Sequence, residues 1–146
     1  MRRKLRVFFA LAGPDRRLFA RAWMYLFGVD LMLRVLPFKA IQRRCLGQKS
    51  SRQPADVLAT IAHLKRMVDM AARNHLYPMT CLRRALVLQS LLARQQVHAE
   101  IRFGVRKELG ALQAHAWLEY QGREIGSSAD ALGQFHPLEL KRMSKS

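Results

Sequence analysis

Apolar residues return every three or four positions once the chain passes residue 15. Leu18, Ala22, Tyr25, Leu26, Val29, Met32, Leu33 and Leu36 form one stripe and predict a helix over residues 15–36. Asp15 is placed to cap its start, and Pro37 to end it. Residues 2–12 read as a short basic amphipathic helix, broken by Gly13-Pro14-Asp15. Residues 47–54 are a polar loop. Asp56 then opens a helix to about Arg73, striped by Val57, Ile61, Leu64, Val68 and Ala71/Ala72. After residues 74–78 a last helix runs from Cys81 to about Gln95. Leu82, Ala85, Leu86 and Leu88 are its apolar side, Thr80 its N-cap, and Pro78 keeps Met79 extended just ahead of it.

Beyond that helix the period drops to two. Residues 97–105 alternate as a half-buried strand does, residues 106–110 read as a turn, and residues 112–120 form a second strand. Gln121-Gly122 makes a two-residue turn into a third strand at residues 123–126. The tail after Ser127 is less regular, and residues 141–146 are expected to fray. Helices first and a small antiparallel sheet afterwards give an α+β chain. Its 146 residues, half of them hydrophobic, suit one domain with a modest core.

Charge adds a partner to this picture. The formal net charge is +16, and residues 1–53 hold 13 Lys/Arg against only Asp15 and Asp30. Such an excess predicts an acidic peptide, a nucleic acid or an anionic membrane surface as partner, against the plainer reading of a solvated basic face. Basic strands rich in aromatic residues are absent, so no nucleic acid is expected. The stretch 18–38 carries enough apolar surface to leave peripheral membrane contact open. It cannot span a bilayer, because Arg21, Asp30 and Arg34 interrupt it. Two cysteines, Cys45 and Cys81, without a secretion signal imply free thiols in a reducing cytoplasm. Two cysteines and scattered histidines lack the spacing of a zinc site, and no glycine-rich phosphate loop argues for a nucleotide.

Cys81 carries the candidate chemistry. In the first turn of a helix, unpaired N–H groups and the helix dipole favour a thiolate, although a cysteine beside leucines is more often a small core residue. The base to match it is His115, in Ala114-His115-Ala116-Trp117-Leu118-Glu119-Tyr120. On a strand His115, Trp117 and Glu119 share a face, and packing of that strand on the start of the cysteine helix brings imidazole to thiol. His63, His75, His98 and His136 are read as ordinary structural or surface histidines, and Glu119 as a structural or substrate contact.

Cys81-Leu82-Arg83-Arg84-Ala85-Leu86 with Leu91-Leu92, then Ile101-Arg102-Phe103-Gly104-Val105-Arg106, then Ala114-His115-Ala116-Trp117-Leu118-Glu119 resembles the lasso peptide maturation proteases, the transglutaminase-like B-type proteins. The resemblance covers about residues 76–127, and the helical first half matches it only in length and character. It implies a transglutaminase-like or papain-like core at residues 76–146, with residues 1–75 as a helical part packed on it. It also implies a cysteine peptidase that removes the leader from a ribosomally made precursor peptide. A separate leader-recognition protein and a macrolactam synthetase would be its partners, and ATP dependence is implied by the family alone. In that pattern an aspartate on the strand after the histidine orients the imidazole. Here it falls at about Ser127, with Asp130 just beyond, so Asp130 or Ser127 is the expected third member beside Cys81 and His115. The alternatives are a non-catalytic peptide-binding module of the same fold, or a basic membrane-surface or nucleic-acid-binding protein.

Overall fold

A computed structural model describes residues 11–46, 54–108, 111–125 and 136–137. Among the described residues four helices precede the sheet: α1 (Gly13–Val35), α2 (Phe38–Leu46), α3 (Val57–Arg73) and α4 (Cys81–Ala93). The strands are β1 (Glu100–Glu108), β2 (Ala111–Tyr120), β3 (Arg123–Ile125) and β4 (His136–Pro137), in spatial order β3-β2-β1-β4 with every pairing antiparallel. The α+β reading therefore holds.

α4 lies at the centre. Every residue from Ala85 to Ala93 is buried, as expected of a helix enclosed on all sides. It packs against α1, α2 and α3 and against β1 and β2. Leu86 and Leu92 have no exposed surface. Around them one core joins Leu26 and Val29 of α1, Leu64 and Val68 of α3, and Leu118 of β2. Gln89 is the polar exception in this helix. Its Nε2 donates to the Ala99 carbonyl at 2.9 Å and ties α4 to the chain entering β1. On its outer side α1 leaves Met24, Phe27, Leu31 and Val35 exposed. No helix among the described residues is long and apolar enough to cross a membrane.

The local rules account for most boundaries. Asp56 accepts from the Ala59 N–H at 2.9 Å and caps α3 as expected. Gln121 and Gly122 both have positive φ, which a two-residue primed turn between β2 and β3 requires. Three readings are corrected. The first long helix begins two residues early, at Gly13. Ala12 holds its N-cap position without a side-chain bond, and Pro14 occupies the first turn, where its missing N–H costs nothing. Asp15 is consequently inside the helix, and its carboxylate meets His63 Nε2 at 3.2 Å instead of capping. Residues 106–108, read as turn, continue β1 in register with Ala111, Leu112 and Gln113, because ladder pairing to β2 overrides their polarity. The helix α2 and the short β4 were not anticipated. Residues 2–10 of the expected N-terminal helix, residues 47–53 of the polar loop at 47–54, and the tail after Ser127 apart from residues 136–137 lie outside the described residues.

Candidate active site

The start of α4 is held by local bonds. The Thr80 hydroxyl accepts from the Arg83 N–H at 3.5 Å, and the Thr80 carbonyl accepts from the Arg84 N–H at 3.2 Å. Helix geometry leaves the N–H groups of Cys81 and Leu82 with no acceptor inside the helix. Cys81 is a free thiol, half-buried at this end.

A second set of contacts anchors the same end to α1. Asp30, buried on α1, accepts from the Tyr77 hydroxyl at 2.5 Å and pairs with Arg83 at 2.5 Å and with Arg34 at 3.3 Å. Tyr77 and Arg83 lie on either side of Cys81 in the chain, so one buried carboxylate grips both flanks of the thiol. The Tyr77 hydrogen bond, assisted by the Arg83 charge, holds the Asp30 carboxyl below its ordinary value of 3.8. The same bond to Asp30 pushes the Tyr77 hydroxyl above its ordinary value of 10.0. His75 completes the anchor, its ring 4.7 Å from Trp23 and 5.0 Å from Tyr77. It is 3% exposed, which fits the structural role assigned to it.

β2 presents His115. Its ring stacks on Trp117, two residues along the same face, with centroids 6.1 Å apart and planes 20° apart. Across the ladder its register partner is Gly104, so no side chain of β1 competes with the imidazole on that face. Glu119 lies further along β2 and pairs with Arg102 at 3.2 Å, as a cross-strand structural contact does.

Cys81 and His115 line one cleft of about 350 Å³ between α3, α4 and β2. Trp117, Leu88 and Val68 supply its apolar wall. Sequence reasoning missed its polar wall, formed by Lys65, Asp69 and Arg73 of α3 with Arg84 of α4. The signal was present: residues 65, 69 and 73 recur every four positions, and Arg84 follows Cys81 by three, so each set lies on one helix face. Ser127 and Asp130 lie outside the described residues. Such an arrangement, with a thiol at a helix start and an imidazole across an open cleft, is suited to nucleophilic attack on an acyl carbon.

A sequence profile described as the transglutaminase-like superfamily matches residues 23–140, a span that holds α3, α4, all four strands and both cleft residues. No curated protein and no solved structure shows significant similarity to the chain.

Proposed function

The chain belongs to the transglutaminase-like superfamily, and from that premise we propose that it is a cysteine peptidase that removes the leader from a ribosomally made lasso precursor before macrolactam closure. The observation that carries this reading is that Cys81 and His115 line one cleft, with the thiol at the start of a helix. In the proposed reaction His115 takes the thiol proton, and the Cys81 sulfur attacks the carbonyl carbon of the scissile bond. The Cys81 N–H supports the developing oxyanion. His115 then protonates the leaving amine, which departs as the new N-terminus of the core peptide. Water, deprotonated by His115, hydrolyses the leader thioester and restores the thiol. None of these steps uses ATP, and the dependence that the resemblance implies is assigned no residue. Trp117 and Leu88 provide the apolar surface along which an extended peptide lies.

The third catalytic position is assigned to Asp130, with Ser127 as the alternative. A base works best when its second ring nitrogen is held, and a thiolate–imidazolium pair tolerates a weak holder. Asp130→Ala is expected to slow leader cleavage by about tenfold, equivalent to about 1.4 kcal/mol of barrier. Ser127→Asp is expected to speed it. Both are measured as single-turnover rates on a purified precursor with the separate leader-recognition protein present. No change in either variant would leave a Cys–His dyad.

The leader and its recognition protein are proposed to be held by charge, because residues 1–53 carry most of the positive excess. Their dissociation constant, followed by fluorescence anisotropy, is expected to rise steadily as salt is added from low to physiological ionic strength, where exposed charges are screened within about 8 Å. A flat response would assign the docking to apolar contacts.

A further inference from the structure

The polar wall of the cleft is unbalanced. Lys65 takes one oxygen of Asp69 at 3.0 Å, and Arg84 reaches the other only at 4.0 Å. Arg84 Nε is buried without a hydrogen-bond partner among the described residues. Arg73 lines the same cleft, is exposed, and has no ion-pair partner among the described residues. Three cations thus face one carboxylate, and that carboxylate is committed first to Lys65. Arg84 stands one helical turn beyond Cys81 on the same side of α4, a rise of about 5 Å. Two underused guanidinium groups therefore line the same cleft as the Cys81 thiol.

We propose that this wall is a subsite for an acidic side chain, so that the preferred substrate carries Asp or Glu beside the bond that Cys81 attacks, its carboxylate received by Arg84 and Arg73. The assignment rests on the reading of Cys81 as the peptidase nucleophile. A guanidinium presents a planar fork of donors that matches a carboxylate, and partial burial strengthens such charge-assisted bonds. Asp69 at the edge of the subsite favours a single negative charge over the double charge of a phosphate, which it would repel more strongly.

The test uses the full-length chain and two small thiol reagents. Rates of alkylation at Cys81 are measured by peptide mapping with iodoacetate, which is anionic, and iodoacetamide, which is neutral. The iodoacetate-to-iodoacetamide ratio is expected to fall roughly threefold in Arg84→Met, and further in Arg73→Met/Arg84→Met, as removal of unit charges near a helical turn away dictates. Protection supplies the second arm. N-acetyl-Glu-Gly-amide is expected to slow alkylation of the wild-type chain by iodoacetamide, N-acetyl-Lys-Gly-amide is not, and the double variant is expected to lose the protection. Rapid alkylation with an unaltered ratio and no acidic preference would overturn the subsite while leaving the nucleophile in place. Protection by inorganic phosphate as strong as that by the glutamate probe would overturn the carboxylate assignment. Cys81 reacting no faster than an ordinary exposed thiol would overturn the nucleophile and the subsite together.

Discussion

Cys81→Ala and His115→Ala are each expected to abolish cleavage of the precursor, with losses of roughly three orders of magnitude or more, as when one member of a nucleophile–base pair is removed. The two losses should be alike and should not add in the double variant, because in the proposed reaction thiol and imidazole act as one unit. The fold should survive both changes. Cys81 is half-buried at a helix end, where Ala is also accommodated, and His115 faces Gly104 across the ladder, so its removal opens the cleft without unpacking the core. Circular dichroism checks the fold, and electrophoresis of precursor incubated with its recognition protein checks the cleavage. Cleavage by Cys81→Ala at the wild-type rate would remove the peptidase reading.

The second large effect is expected at Asp30. Asp30→Ala strands the Arg83 guanidinium, whose side chain is 21% exposed, and leaves the Tyr77 hydroxyl without its acceptor. Removing one member of a buried ionic network leaves the others uncompensated, and the midpoint of thermal unfolding should fall by about 5–10 °C. Because Tyr77 and Arg83 flank Cys81, the cleavage rate should fall too, at temperatures where the variant is still fully folded. Asp30→Asn, which keeps the shape and one acceptor, should lie between wild type and Ala. The pH dependence has a definite sign. Asp30 is held below its ordinary value, so its contribution to stability is complete above about pH 4 and is lost as pH falls through the lower folded value. Tyr77 is held above its ordinary value, so its contribution is complete below about pH 10 and is lost at higher pH. Denaturant midpoints of wild type and Asp30→Asn should therefore converge toward acid. A gap that stays constant from neutral pH to pH 2 would contradict this role for Asp30.

The features legible in the sequence are the local ones. Thr80 before Cys81, Asp56 before Val57 and the Gln121-Gly122 turn each specify their element through bonds within three or four residues. The strand read at residues 112–120 put His115 and Trp117 on one face, as their stacked rings show. Less legible were short elements with few apolar residues. α2 is a nine-residue helix in which Lys39, Gln42, Arg43 and Arg44 dilute the apolar signal, and Ile41 is its buried anchor. Pro37 was read only as a stop, whereas its carbonyl also accepts from Ala40 at 2.9 Å and opens the next helix. Long-range polar contacts were invisible. Asp30 read as an interruption in an apolar stripe, because the Tyr77 and Arg83 that justify its burial lie about fifty residues away. Asp69 and Arg84 meet only when α3 and α4 pack, so the sequence marks the charged face of each helix but not the joining of the two faces into one wall.

The most direct measurement is the mass of the protein during turnover. Precursor and chain are mixed with the recognition protein, quenched in acid within one turnover, and examined as intact species and then as peptides. The account predicts a population heavier than the free chain by the leader less one water, with the added mass on Cys81, sensitive to hydroxylamine as a thioester is, and absent from Cys81→Ala. Leader released at the same rate with no adduct at any time, and released equally by Cys81→Ala, would contradict it.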